Sequence, residues 1–381
     1  MLKIPVYLDY NSTTPVDSLV LEKMIPYFSE RFGNAASRTH SFGWIAEEAV
    51  DHAREQTARL INSEPGEIIF TSGSTEAINL ALKGIFENYS SKGNHIITVR
   101  TEHKAVLDTC SCLEAKGAQI TYLDVDRSGM IDLNHLSNSI NESTILVSVM
   151  FANNETGVIQ PIAETGRICK EKKVLFFCDA TQAIGKTRVD VNEYQIDMLS
   201  ISAHKFYGPK GTGALYIRRK NPRVKPAALI HGGGHEKEFR SGTLNVPGIV
   251  GFGEACEIAA KRMWEDNERI SKLRTLLEQS LTKDGDAFIN GSIKNRLPNT
   301  TNIAFKGINS GTFIKEIPDI AVATGSACTS AIPEPSHVLR AMGLSDEEAN
   351  SSIRFSLGRF TSEEEIKFAI EKIKKISHEL H

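Results

Sequence analysis

Lys205 lies in the run Ser200-Ile-Ser-Ala-His-Lys-Phe-Tyr-Gly-Pro-Lys-Gly-Thr-Gly213, between two apolar segments of strand length, Ile196–Ile201 and Ala214–Ile217. Three glycines and a proline break the chain between those segments, which predicts a turn at the end of a buried strand. A lysine withdrawn from water there has a lowered pKa and is a competent Schiff-base nucleophile toward an aldehyde-bearing cofactor. A lysine capping an exposed loop is the plainer alternative. Ser202 and His204 flank it with a hydroxyl and an imidazole, both able to donate to a phosphate.

Further polar groups recur where strands end. Gly73, Ser74 and Thr75 follow the apolar run Ile68–Phe70 and open a helix, which is either a phosphate site or a plain N-cap. His103 lies just past the strand His95–Val99 and either stacks on an aromatic ligand or caps its helix. Asn153, Asn154 and Glu155 follow another strand. Asp179 ends Val174-Leu-Phe-Phe-Cys178 as a carboxylate on an apolar strand, where burial demands a donor or a cation; a pyridinium nitrogen is one such partner, and Gln182 follows one turn on. Cys328 sits in Ala323-Thr-Gly-Ser-Ala-Cys-Thr-Ser330, small and polar on every side, and reads as a reachable thiol nucleophile or an incidental surface cysteine. Arg354, among apolar residues, suits either capture of a carboxylate or an ion pair.

Two motif matches fail on context. Gly208-Pro-Lys-Gly-Thr-Gly213 is followed by a strand, not the helix a dinucleotide fingerprint needs. Ala180-Thr-Gln-Ala-Ile-Gly-Lys-Thr187 lacks the first glycine of a phosphate-binding P-loop and no helical pattern follows it.

The elements that must position these groups alternate strand and helix from about residue 68 to 217, which predicts an α/β architecture: a mainly parallel sheet covered by helices on both faces, with ligands beyond the carboxyl ends of its strands. Near Asn245-Val-Pro-Gly248 the alternation stops and a long helical stretch begins, Ile249 to Leu281, with a break expected near Trp264. Short strands follow and then a final helix from Ser362. This predicts a large domain over 13–260 and a smaller α+β domain made of 1–12 and 261–381. At 381 residues the chain has room for both cores. A net charge of −3 gives no compositional reason to expect nucleic acid or an anionic membrane as partner. The N-terminus has no apolar run of signal-peptide length and no later run reaches a membrane span, so a cytoplasmic location is expected. Six cysteines in a chain of this size do not make a disulfide framework, and no second cluster joins the Cys110/Cys112 pair to make a metal site.

Taken together, Leu8-Asp-Tyr-Asn-Ser-Thr-Thr-Pro15, Phe32-Gly-Asn-Ala-Ala-Ser37, Thr71-Ser-Gly-Ser-Thr-Glu76, Thr101-Glu-His-Lys104, Asn153-Asn-Glu155, Asp179-Ala-Thr-Gln182, the lysine stretch, His231-Gly-Gly-Gly-His-Glu236, Arg240-Ser-Gly-Thr243 and the Cys328 segment resemble the cysteine desulfurases. These are pyridoxal-phosphate enzymes of the aspartate-aminotransferase type (fold type I). Gly325-Ser-Ala-Cys-Thr-Ser330 with Pro335-Ser-His-Val-Leu-Arg340 is similar to the long-loop subgroup that serves iron–sulfur cluster assembly. The resemblance implies pyridoxal 5'-phosphate as cofactor, held covalently by Lys205, with His103 stacked on its ring and Asp179 on its nitrogen. Asn154 and Gln182 would contact the ring-oxygen side. Ser74, Thr75, Ser202 and His204 would bind the phosphate, joined by Thr243 from the partner subunit of a homodimer. Asn34 and Arg354 would hold the carboxylate of L-cysteine, and Cys328 would take its sulfur as a persulfide, releasing alanine. A sulfur-acceptor protein, either an iron–sulfur scaffold or a thiolation enzyme, would follow.

The sequence departs from that family at Ala35, where proline is usual, and at Ile308–Phe313. It also stops at His381, short of the tail that scaffold-docking members carry. Rival readings are a selenocysteine lyase or aminotransferase of the same fold, though neither an aminotransferase nor a simple β-lyase needs Cys328, or a non-catalytic sulfur-carrier partner, which would have no use for Lys205 opposite Asp179.

Overall fold

The computed structural model describes residues 2–324 and 335–380, so the Cys328 assignment lies outside the described residues. In chain order the strands are β1 (Val6–Tyr7), β2 (Ile68–Thr71), β3 (His95–Val99), β4 (Gln119–Leu123), β5 (Thr144–Ser148), β6 (Leu175–Asp179), β7 (Met198–Ser202), β8 (Gly213–Ile217), β9 (Ala287–Ile289), β10 (Thr300–Phe305), β11 (Ile320–Ala321) and β12 (Ser352–Ser356). One sheet runs in the order β2-β8-β7-β6-β5-β3-β4. From β7 to β4 every pairing is parallel, whereas β8 is antiparallel to both its neighbours. The amino end of β8 therefore lies at the same edge as the carboxyl ends of the others.

These strands read as unbroken apolar runs because both faces are buried. Phe70, Ile97, Val147, Phe176, Leu199 and Tyr216 face one core, shared with the helix Ser41–Leu60 and the first half of the helix Val246–Thr282. Their neighbours Ile69, Ile96, Leu146, Phe177, Met198 and Leu215 face a second core under the helices Ser74–Tyr89 and Lys104–Glu114. The period of two along each strand thus separates two cores and not a core from water.

A third core gathers Leu8, Ile270, Leu273, Leu277, Ile303, Phe313, Phe355 and Ile373 around the antiparallel sheet β12-β10-β9 and the parallel pair β1-β11. The helix Val246–Thr282 joins it to the first, giving Ile249, Phe252 and Cys256 to one and Ile270 to Leu281 to the other. It starts at Asn245, whose side chain accepts from Gly248 N, and has a proline in its first turn. The break expected near Trp264 is absent. No Gly or Pro occurs between Gly253 and Thr282, so the change of apolar face there marks a passage from one core to another, not a kink.

One buried arginine ties the two regions together. Arg359, just past β12, donates from Nε to Asp266 of the long helix at 2.7 Å and from its terminal nitrogen to Asp17 at 2.9 Å, and its guanidinium lies over the Tyr207 ring. Asp17 also caps the helix Ser18–Met24. Arg359→Ala leaves buried Asp17 without its cation and Asp266 with only the distant Arg262 at 4.0 Å, and the expected cost is about 3–5 kcal/mol of stability. Denaturant titration of wild type and variant checks this; a loss under about 1 kcal/mol means the three residues do not act as a unit.

Candidate active site

The carboxyl edge of the large sheet opens into a cleft of about 430 Å³ whose lining includes Ser74, Thr75, His103, Asn154, Asp179, Gln182, Ser202, His204, Lys205 and Arg354. A larger cavity, about 510 Å³, lies elsewhere and is lined by Lys92, Lys170, Lys172, Lys173, Arg218 and Arg223. Its lysines are exposed to water and it contains no Cys, Ser or His, whereas the smaller cleft gathers the candidate reactive groups.

Lys205 ends the short 3-10 turn Ala203–Lys205 that follows β7. Its Nζ donates to the carbonyls of Asn11 at 2.7 Å and Ser12 at 2.8 Å. The N-terminal segment wraps over this turn: Thr14 N and Thr14 Oγ1 both donate to His204 O, and Thr14 Oγ1 accepts from Tyr207 N. The lysine is therefore half-buried and held by backbone oxygens, unlike a lysine capping an exposed loop.

Asp179 ends β6 and is buried. Its Oδ1 accepts from Thr181 N at 3.0 Å, from Ser200 Oγ at 2.8 Å and from the Thr181 hydroxyl. Ser200 stands opposite Asp179 in the β6–β7 register. None of these bonds uses Oδ2, and the residue lines the cleft. Neither Thr181 nor Ser200 was singled out from the sequence. Thr181 carried a usable signal, since a hydroxyl two residues after an aspartate closes a local turn; Ser200 depended on a cross-strand register that sequence does not print.

The helix Ser74–Tyr89 points its amino end at the same space. Its N-cap is Gly73 at φ +153°, a left-handed-side conformation that side-chain-bearing residues rarely adopt, and no side chain caps it. First-turn N–H groups beside Ser74, Thr75 and Ser202 make an anion cradle. Ser74 Oγ is 2.5 Å from Thr181 Oγ1, so the cradle and the Asp179 group share a hydroxyl contact. Glu76 in that first turn is engaged elsewhere: it accepts from Ser72 N and pairs with Arg240 at 2.8 Å. Burial opposes its charge, yet Arg240 and Ser72 hold the carboxyl below its ordinary value.

His103 caps the helix Lys104–Glu114, its Nδ1 accepting from Ala105 N at 3.1 Å, while the ring lines the cleft. Capping and cleft-lining are thus compatible. Burial lowers its pKa against the pull of Asp179. For His204 burial and the charges of Lys205, Lys210 and Lys186 push the imidazole down to about 4.

Arg354, on β12, is buried and donates to Asp9 Oδ1 at 2.6 Å, Ser12 Oγ at 2.9 Å and Asn154 O at 3.0 Å. It is thus ion-paired and also lines the cleft, with Nε without a partner among the described residues. Asn34 and Thr243 stand apart. Asn34 is exposed and accepts from Ala36 N, Thr243 is exposed, and neither lines the cleft. Among the described residues, Cys110, Cys169, Cys178 and Cys256 are buried and Cys112 is exposed, with no group of three His, Cys, Asp or Glu placed to hold a metal.

Residues 6–368 match the aminotransferase class-V family model. The chain is 54% identical over 380 residues to the cysteine desulfurase IscS of Anaeromyxobacter sp. (strain Fw109-5), covering 98% of this chain and 94% of that one. It is 55% identical over 370 residues to the cysteine desulfurase IscS of Dechloromonas aromatica (strain RCB), covering 97% and 91%. A solved NifS-like protein superposes with a TM-score of 0.91 at 41% identity, covering 99% of each chain.

The lowered pKa of His204 has a readable consequence. The folded ligand-free protein binds fewer protons at this site than the unfolded chain between pH 6.5 and about 4, so the stability that neutral His204 permits is lost as pH falls through that window. The stability gap between wild type and His204→Gln is expected to change in the direction of wild-type loss across it. A gap that stays constant from pH 7 to 4 would show that His204 titrates normally.

Proposed function

Since the chain belongs to the aminotransferase class-V family and is a pyridoxal-phosphate-dependent cysteine desulfurase, we propose that its cleft divides the work among the residues just described. The observation that carries this reading is the convergence, at one sheet edge, of a half-buried lysine, a buried aspartate and an uncapped helix N-terminus.

The donor set fits the cofactor. Lys205 Nζ is the amine for its aldehyde. Asp179, with Oδ1 fixed by Thr181 and Ser200, is the partner for its ring nitrogen. The cradle of Ser74, Thr75, Ser202 and His204 takes its phosphate, at a helix amino end that no side chain caps. His103 supports the ring, and Asn154 and Gln182 serve its oxygen side. When bound, the cofactor draws electrons from the substrate's Cα, which makes the Cα proton and the C–S bond labile. Asp179 keeps the ring nitrogen protonated, because its buried carboxylate needs a cation. Arg354 orients the carboxylate of L-cysteine, exchanging part of its present contact with Asp9. Cys328 attacks the substrate sulfur as thiolate; the new S–S bond forms as the C–S bond breaks, the electron pair stays on carbon, and alanine leaves after protonation.

We further assign residues 13–260 to a large domain and 1–12 with 261–381 to a small one, a division supported by the separate cores around the two sheets. A homodimer completes the site, with Thr243 reaching the partner's phosphate cradle. Supporting this are the large apolar side chains Leu19, Ile25, Phe28, Phe32, Phe42 and Trp44, all exposed within the first 44 residues. The persulfide passes to an acceptor protein, an iron–sulfur scaffold or a thiolation enzyme, in the cytoplasm. No helix among the described residues is long and apolar enough to cross a membrane.

Cys328→Ser should still bind L-cysteine and perturb the cofactor's absorbance, yet release sulfide at less than about 1% of the wild-type rate, a hydroxyl being far the weaker nucleophile near neutral pH. Mass spectrometry after one turnover of wild type should place one added sulfur on the peptide carrying Cys328. Sulfur found on Cys112 instead, with Cys328→Ser fully active, would reject the assignment. Sedimentation is expected to give twice the mass of one chain, and a fully active monomer would dismiss the shared site.

A further inference from the structure

Lys186 is a cation that no step above uses. The chain after β6 closes a helical turn, with Ile184 N donating to Ala180 O and Lys186 N to Ala183 O, which puts residues 182 and 186 on one face. Lys186 Nζ donates to Gln182 Oε1 at 2.9 Å and to Gln182 O at 3.2 Å. The other end of the same side chain, Gln182 Nε2, donates to Asn11 O at 2.9 Å. That carbonyl also accepts from Lys205 Nζ at 2.7 Å.

An ammonium can only donate, and a peptide carbonyl can only accept. The two ends of the Gln182 amide, which are alike in shape, are therefore told apart from both sides: oxygen at Lys186, nitrogen at Asn11. Asn11 is itself fixed, donating from N to Ser356 Oγ and from Nδ2 to Thr300 Oγ1. Lys186 is anchored too, because Asn267 of the long helix donates to its carbonyl at 2.8 Å, and Gly185, at φ +74°, brings the backbone so close to Phe206 that a Cβ would lie 2.9 Å from it.

We propose that Lys186 is a positioning residue that keeps the Gln182 amide nitrogen turned toward the cleft, so that Gln182 meets the cofactor's ring oxygen as a donor. This rests on the reading of Gln182 as a cofactor contact. An unpaired lysine is an expensive way to fill this space: among the described residues Lys186 makes no ion pair, and burial, then the charges of Lys205 and Arg354, lower its pKa, so the two Gln182 oxygens it contacts are what favour its ammonium form. Asp266 lines the same small cavity without pairing with it. A methionine would pack there at lower cost but could not hold an amide oxygen.

The test uses the purified, cofactor-loaded protein and reads the pH midpoint of the cofactor's visible absorbance band, together with the cofactor dissociation constant. Gln182→Ala removes the donor and is expected to move the midpoint to higher pH by about half a unit to one unit. Lys186→Met should move it in the same direction by a similar amount, and in the Gln182→Ala background it should add little, since it acts through Gln182. Lys186→Leu serves as the second variant if the methionine protein does not fold. A shift from Gln182→Ala with none from either Lys186 variant overturns the inference alone. An undiminished Lys186→Met shift in the Gln182→Ala background shows a direct charge effect and also overturns it. No shift from Gln182→Ala overturns the reading of Gln182 itself.

Discussion

Three backbone segments meet under the cleft more closely than side chains would permit. A Cβ on Gly213 would lie 2.5 Å from Ile201 O and 2.6 Å from Gly73 Cα. Gly213 opens β8, Ile201 precedes Ser202 in β7, and Gly73 caps the helix Ser74–Tyr89, so this contact sets the distance between lysine turn and helix N-terminus. Because β8 runs antiparallel, its glycine end arrives where the parallel strands deliver Asp179 and Ser202. A bulkier residue at Gly213 would push the helix from the strand and separate the groups that must act on one molecule.

Burial of charge is then managed by direction as much as by pairing. Asp179 faces hydroxyl and amide donors on one oxygen only, which leaves its other oxygen for a ligand. Glu102 next to His103 is fully buried; burial and then the nearby Asp179 raise its pKa well above the ordinary value, although Met150 N donates to it. Glu102 is thus driven toward the neutral form beside the carboxylate that lines the cleft.

Much of this was legible in the chain. Strands buried on both faces announce themselves as short apolar runs, and Lys205, Asp179 and the Gly73–Thr75 turn each follow one. What stayed hidden depends on partners distant in sequence. The Arg354–Asp9 pair spans 345 positions, and Ser200 meets Asp179 only through register. Lys186 had drawn notice only in a failed nucleotide-binding match, because sequence shows the spacing to Gln182 but not which end of the amide it would face. The supposed break at Trp264 came from a shift of apolar face that served two cores in turn.

That unbroken helix behaves as a beam. At about 1.5 Å per residue its 37 residues extend about 55 Å. With no Gly or Pro beyond Gly253 it has no site for a sharp kink, so the smaller sheet has no hinge within this segment. Arg354 rides on that sheet, while Lys205 is fixed to the larger one. The beam therefore keeps at a set separation an arginine and a lysine that belong to different sheets yet line one cleft.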